Sequence, residues 1–322
     1  MVTRIKLSIM KKFLITIVAL VSMMSCVKDD VVTKSNRPIS FSETLVDGST
    51  RALEDPSYGD ANPINTFHAW GVVTGNVGSS SLYGGDGTDV SREGAEDGWP
   101  FDSAEQEWWI PSADYQFAAA ANYTSVTLAN GLPSSFGYTA NGTADLVYAA
   151  PVTVETDVNA APIKSTGTPN VGVNENDCVP FVFSHLLSKV HFSFVSTSQS
   201  LEVTDVKVTG HFVEGTYTIG SGWNSTTAAT SALSFGNADG SVTTTGTTSQ
   251  LARLIIPGQQ TWNISLKQNG EEKTATLTGF TFEPNKAYNI KITLQGASAI
   301  TFVIDVEKFE EWGASTDIAL EF

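Results

Sequence analysis

Apolar and polar residues alternate with a period of two in segment after segment of this chain, and no long stretch holds the i, i+3, i+4 spacing of an amphipathic helix. The first such segment sets Ile39, Phe41 and Leu45 on one face against Ser40, Ser42 and Thr44 on the other, with Glu43 interrupting the apolar face once. That pattern predicts a half-buried strand. It runs into Asp47-Gly48-Ser49-Thr50-Arg51, a turn-rich link whose Arg is open to proteases. Between Asn65 and Asp177 the apolar segments Phe67 to Val73, Tyr115 to Ala121 and Leu146 to Ala149 are separated by clusters of Gly, Pro, Asn and Asp. They predict one β-domain with long loops, the longest from Gly75 to Pro100.

A second β-domain is predicted to begin at Val179, so that 52–178 and 179–322 are the two folded parts. Phe181 and Phe183 lead into a strand with Val190, Phe192 and Phe194 facing one way and Lys189, His191 and Ser193 the other. Val206 and Val208, then Trp262, Ile264 and Leu266, then Tyr288, Ile290, Ile292 and Leu294 continue the alternation. Glu283-Pro284-Asn285-Lys286 supplies the turn before the last of these. From Ser221 to Gln250, 14 of 30 residues are Ser or Thr and Asp239 is the one charge, which reads as a long loop or an edge hairpin. Near the end, Ile300, Phe302, Ile304 and Val306 oppose Thr301, Asp305 and Glu307, and Ile318, Leu320 and Phe322 alternate to the last residue. A terminus that stays amphipathic needs a strand to pair with.

Composition agrees with this all-β reading. Of 322 residues 41% are hydrophobic and only 16% charged, enough apolar material for about two cores and too few charges for coiled coils or helical bundles. Eighteen basic residues against 34 acidic ones give −16, a field that repels phosphate backbones and excludes nucleic acid as a partner.

The N-terminus changes the picture more. Arg4, Lys6, Lys11 and Lys12 precede the apolar run Phe13 to Val21, which is long enough for the core of an export signal and short of the ~20 residues that span a bilayer. The run ends in Ser22-Met23-Met24-Ser25-Cys26, which resembles the lipobox at which bacterial lipoproteins are cleaved and diacylated, although Met23 and Met24 depart from its stricter Leu-Ala form. Residues 1–25 are then a lipoprotein signal peptide, and palmitate-type acyl chains on Cys26 tether a soluble body to the cell outer membrane. The acidic Val27-Lys28-Asp29-Asp30 resembles the signal that sends some lipoproteins to the outer leaflet, which implies surface exposure. Losing residues 1–25 leaves 14 basic against 34 acidic residues, a mature charge of −20. Cys178 is then the only free thiol, with no partner for a disulfide and no Cys-x-x-Cys pair for metal or redox work.

Catalytic signatures are missing. There is no Gly-x-Ser-x-Gly, His-Glu-x-x-His, Gly-x-x-x-x-Gly-Lys or dinucleotide-binding glycine pattern, and no cofactor is implied. His185 and His191, six apart, would sit ~20 Å from each other on one face of a single strand and cannot share a metal. Asp86, Asp89, Glu93, Glu96 and Asp97 offer oxygen ligands for calcium without the spacing or fixed Gly of an EF-hand; a solvated acidic loop is the plainer reading. Trp99 and Trp108 with Phe101 could stack a sugar, whereas Trp109-Ile110-Pro111, Tyr115 and Phe117 read as core. Asp102-Ser103-Ala104 resembles a short bacterial O-glycosylation sequence.

Several segments together resemble the fimbrillin family of type V pilus subunits. They are the lipobox at Cys26, Thr50-Arg51-Ala52, Trp109-Ile110-Pro111 with Tyr115-Gln116-Phe117-Ala118-Ala119, Phe183-Ser184-His185-Leu186 with Ser188-Lys189-Val190, and Pro284-Asn285-Lys286-Ala287-Tyr288-Asn289-Ile290. The resemblance implies two transthyretin-like β-sandwich domains in tandem and a leader, residues 26–51, cut between Arg51 and Ala52 by an Arg-specific surface protease. It further implies that the strand around Ile39, Phe41 and Leu45 is removable and that a neighbour's C-terminal strand replaces it. Ile300, Phe302, Ile304 and Val306, or else Ile318, Leu320 and Phe322, would supply that donor. The implied role is a stalk or tip subunit of an adhesive fimbrium, with other fimbrillin subunits as partners. A monomeric surface lipoprotein that binds a glycan or another host ligand is the alternative.

Overall fold

A computed structural model describes residues 37–45, 66–75, 78–91, 106–197, 200–295 and 299–308. The chain divides into two units, 1–34 and 35–322, of which the first lies wholly outside the described residues. Described in chain order are β1 (Ser40–Leu45), β2 (Thr66–Gly75), β3 (Ser80–Ser81), β4 (Thr88–Ser91), β5 (Ala113–Ala121), β6 (Ser125–Ala129), β7 (Leu132–Thr139), β8 (Val147–Glu155), β9 (Cys178–His185), β10 (Ser188–Ser196), β11 (Val203–Thr209), β12 (Phe212–Thr218), β13 (Gly222–Ala228), β14 (Leu233–Gly236), β15 (Thr247–Thr248), β16 (Arg253–Ile255), β17 (Gly258–Gln268), β18 (Glu271–Phe282), β19 (Lys286–Gln295) and β20 (Ala299–Lys308). A 3-10 turn at Tyr83–Gly85 is the one helical piece among the described residues. The fold is all-β.

The first sheet runs β1-β9-β8-β5-β2-β3, with β4 also on β2. Both of its faces are buried, which is why β5 reads Phe117-Ala118-Ala119-Ala120-Ala121 without polar interruption. On one face Phe67, Ala69, Tyr115, Phe117, Ala119, Phe181 and Phe183 pack with Trp109 into a single core. On the other, Trp70, Ala118, Ala120 and Tyr148 meet Phe136 and Tyr138 of β7 together with Leu186, Leu187, Leu254 and Ile256.

Phe136 and Tyr138 belong to a sheet of order β13-β12-β7-β6, built from strands on both sides of residue 179. The remaining strands form a sandwich of their own. One layer is β15-β10-β19-β20, with β16 also on β10, and the other is β14-β11-β17-β18. Between them lie Phe192, Phe194, Val206, Val208, Trp262, Ile264, Leu266, Ile290, Ile292 and Leu294. Gly210 is the crossing point from β11 to β12, and therefore from this sandwich to the composite sheet. Its φ of +88 is open to glycine.

Four sequence expectations change. Val179 was expected to open the C-terminal domain, but β9, which contains it, lies inside the first sheet between β1 and β8. Alternation specifies an apolar face and leaves the neighbouring strand unspecified. Lys189 and His191 are buried, because β10 is covered on both faces. The loop from Gly75 to Pro100 contains β3 and β4, which pair with β2. His185 and His191 stand on different strands in different sheets, separated by Leu186-Leu187. The Ser/Thr-rich tract is resolved in favour of edge structure, since β13 and β14 each end a sheet.

Candidate functional site

The edge of the first sheet holds the strand that sequence alone singled out. β1 pairs in parallel with β9, register Ser40 to Cys178, Phe41 to Val179 and Leu45 to Phe183. Ile39 and Phe41 are both 0% exposed. The Phe41 ring lies 5.0 Å from Phe181, 5.6 Å from Phe117 and 6.5 Å from Phe67, centroid to centroid. An edge strand is ordinarily half wet, but this one fills the middle of an aromatic core.

The start of β1 is also gripped from its outer side. The Ile39 amide donates to the Glu107 carbonyl at 2.9 Å, and the Trp109 amide donates to the Arg37 carbonyl at 3.1 Å, around a Pro38–Trp108 bridge. Trp109 is fully buried, edge-on to Tyr115 at 4.9 Å. The Tyr115 hydroxyl accepts from the Ile110 amide at 2.6 Å. Burial pushes that phenol up to about 12 despite the opposing bond from Ile110, with the Glu107 charge adding to the rise. The gripping segment is thus anchored in the same core it closes.

Beneath β1, the turn at Asn174–Cys178 makes polar contact with the strand. The Asn174 side chain donates to Ser42 Oγ at 2.9 Å, and its own Oδ1 accepts from the amides of Asn176 and Cys178 at 3.0 Å each. Such a side-chain turn is what Asn does well. Lys164 Nζ donates to the Asn174 carbonyl at 2.9 Å and the Glu175 carbonyl at 2.7 Å, and it meets Asp177 at 2.7 Å. Asp177 also faces Arg37 at 3.9 Å. Cys178 is half-buried, and burial, then Asp177, push its thiol pKa up against the pull of Lys164.

Of the other residues singled out from sequence, Ile300, Phe302, Ile304 and Val306 fall on β20, where their antiparallel partners on β19 are Leu294, Ile292, Ile290 and Tyr288. Cys26, Arg51, Ala52, Trp99, Glu93, Glu96, Asp97, Asp102-Ser103-Ala104, Ile318, Leu320 and Phe322 lie outside the described residues. Trp109, Tyr115 and Phe117 are core, while Trp108 is half-buried in the bridge to Pro38. Asp86 and Asp89 are engaged by His68, through the Asp86 carbonyl at 2.9 Å and the Asp89 carboxylate at 2.6 Å. Among the described residues no group of three or more His, Cys, Asp or Glu is placed to hold a metal ion. Sequence reasoning missed the grip of Glu107–Trp109 and the Asn174–Cys178 turn. The Asn174-x-Asn176-Asp177 string was the available turn signal for the latter.

The arrangement is a strand-shaped slot whose contents come from the chain's own N-terminal side. It can hold an extended segment by main-chain hydrogen bonds and read alternate side chains through an aromatic pocket.

A family model described as fimbrillin-like matches residues 50–308. A fimbrial protein from Bacteroides vulgatus superposes with a TM-score of 0.51 at 15% identity, covering 85% of this chain and 100% of that one. Proteins assigned to cell adhesion from Bacteroides ovatus and Bacteroides uniformis give TM-scores of 0.56 and 0.53 at 16% and 15% identity, over 84% of this chain and 97% and 98% of theirs. At such identities the likeness shows the fold. No curated protein sequence matches the chain.

Proposed function

The chain belongs to the fimbrillin-like family, and on that premise we propose that it is a structural subunit, stalk or tip, of a surface fimbrium that supports adhesion. It is exported as a lipoprotein acylated at Cys26 and held at the outer membrane. An Arg-specific surface protease cuts after Arg51, and the leader carrying Ile39, Phe41 and Leu45 then leaves. The vacated slot accepts a strand from another fimbrillin subunit. No catalysis is assigned to the chain.

One observation carries this reading: the core of the part that follows Arg51 is completed by two fully buried residues, Ile39 and Phe41, that precede it. Fully burying such side chains contributes ~1.5–3 kcal/mol each. Loss of the leader therefore leaves an apolar groove about 3–6 kcal/mol short of its former burial, and an incoming strand can recover this after ordering costs. Likeness to a fimbrial protein of Bacteroides vulgatus supports the same assignment through the fold.

The test is maturation itself. Protein shed from cells is expected to begin at Ala52, and purified lipoprotein treated with an Arg-specific protease is expected to form a ladder of oligomers that Arg51→Ala abolishes. A ladder that is absent in both forms refutes the proposal.

A further inference from the structure

The face of the first sheet that turns away from Phe181 and Phe183 is only partly covered. The composite sheet closes over Trp70, Ala118 and Ala120 but leaves Val182 of β9 39% exposed and Ser184 half-buried. Here a groove of about 360 Å³ is lined by Tyr148 of β8 in the first sheet and Tyr217 of β12 in the composite sheet, with Val182, Ser184, Pro169 and Asn170 among its walls. That volume lies within the range of small-molecule sites, which favour such junctions.

Both rings are held from behind. Tyr148 meets Phe136 at 5.4 Å and Tyr217 meets Trp223 at 5.7 Å, centroid to centroid. The Trp223 indole N–H donates to the Leu186 carbonyl at 2.6 Å, which ties β13 to the end of β9. Asn170 is fixed through its main chain, in the left-handed region at a φ of +58, with its carbonyl accepting from the Thr153 amide at 2.9 Å. Its side-chain amide is left over for another partner.

The same is true of the other polar groups in the groove. The Tyr148, Tyr217 and Ser184 hydroxyls and the Asn170 amide have no hydrogen-bond partner among the described residues. Burial, and then the neighbouring Tyr217 phenol, push Tyr148 up to about 12, and burial raises Tyr217 as well. Both phenols are therefore protonated at neutral pH, able to donate and to accept.

No residue lining the groove carries a charge, so a phosphate, a carboxylate or a metal ion finds no counter-charge there. A wholly apolar guest would strand the unpaired hydroxyls and amide. The match is a molecule with an apolar face and a rim of neutral hydroxyls, which is the chemistry of a pyranose sugar. We infer that the groove binds one or two neutral pyranose rings of a glycan, the C–H face against Tyr217, the more open of the two rings, and the hydroxyls toward Tyr148, Ser184 and Asn170. The inference rests on the adhesive role proposed above and not on strand exchange, since no residue of β1 lines the groove.

The test uses uncut full-length chain carrying Cys26→Ser on a printed array of neutral and sialylated glycans, followed by titration calorimetry with the free form of the neutral glycan bound best. Neutral members are expected to bind. Val182→Glu sets a charge in the groove at a position already exposed and is expected to abolish binding. Asn170→Gly keeps the left-handed backbone and removes only the amide, and Tyr148→Phe removes only a hydroxyl; each is expected to weaken binding about fivefold. Tyr217→Ala is expected to weaken it about tenfold. Val158→Glu, 77% exposed and outside the groove, is the control and is expected to bind as the parent does.

An array without a neutral ligand would overturn the inference. So would a sugar that binds Val182→Glu and Asn170→Gly as tightly as the parent, or a sialylated glycan preferred to its neutral counterpart. Either failure leaves the maturation assay where it stands, whereas a missing oligomer ladder with sugar binding intact removes the exchange reading and keeps this site.

Discussion

Replacing Phe41 with Ala in the full chain tests the slot at its deepest point. The ring is fully buried and touches Phe67, Phe117 and Phe181, all of them buried too. Cutting Phe to Ala in such a site costs about 3–5 kcal/mol, because the surrounding rings relax only partly into the cavity. In the uncut chain the leader stays tethered. After cleavage the same loss weakens the leader's hold by roughly 10²- to 10³-fold, at a tenfold change per 1.4 kcal/mol. Ser42→Ala is the internal scale, since it removes only the bond from Asn174 at 2.9 Å. That is worth about 1 kcal/mol, or some fivefold. The assay is size exclusion of protease-cut protein, with the retained leader peptide quantified by mass spectrometry over time. Wild type is expected to release slowly, Ser42→Ala somewhat faster and Phe41→Ala at once. Equal retention in Phe41→Ala and wild type would show that the strand is not held by its aromatic anchor and would refute the reasoning.

The clamp beneath the strand behaves differently. Arg37 and Asp177 are each about half exposed, at 54% and 46%, so their pair is worth little. Raising the salt is expected to leave leader release within about twofold of its low-salt rate, whereas Asn174→Ala speeds it several-fold because a half-buried bond and a turn are lost together. His191 is held at about 4, well below its ordinary 6.5, chiefly by burial and then by the Lys189 charge. The unfolded chain takes up a proton near 6.5 and the folded one only near 4, so this contribution is full above 6.5 and is lost as the pH falls toward 4, ~3 kcal/mol in all. Urea melts at the two ends of that window are expected to show a shallower decline for His191→Gln. Gly210→Ala places a Cβ 2.3 Å from the Thr261 carbonyl at a φ of +88 and is expected to destabilise by about 1–3 kcal/mol in the same melts. Trp223→Phe removes the indole N–H bond to the Leu186 carbonyl at 2.6 Å, with an expected cost of about 1 kcal/mol.

How far the fold could be read from the chain depended on what alternation encodes. Period-two spacing located β1, β10, β17, β19 and β20, because each carries an apolar face, broken in β1 only by Glu43. It could not say who pairs with whom. β1 and β9 are more than 130 residues apart and parallel, so no turn between them announces the pairing. Lys189 and His191 looked solvent-facing because a polar residue on a strand buried on both sides carries no local mark of its burial. The joining of β12 to β7 is silent for a related reason: Thr216, Tyr217 and Thr218 would suit any edge. At the slot itself, Ile39 and Phe41 were legible as an apolar face. The grip of Glu107–Trp109 was not, since main-chain hydrogen bonds to carbonyls leave no trace in residue type.

On the exchange reading proposed above, the topology favours β1 over the inner strands of the first sheet. Removing β9, β8 or β5 would sever two ladders and removing β2 three, and for β8, β5 and β2 it would open both cores of the first sheet. Removing β1 severs one ladder and one bridge, and it uncovers the aromatic core at one end. Twenty residues separate Leu45 from Thr66, so β1 is joined to its successor by a link and not by a tight hairpin whose cutting would cost register elsewhere. The strand left behind, β9, then shows a row of unpaired N–H and C=O groups beside an open apolar groove, an arrangement that draws in another strand. A sheet edge that is both wet and apolar is ordinarily an aggregation hazard. On the proposed reading the leader would keep it covered until the link is cut, and the contacts that complete the fold before cleavage would then define what can replace them.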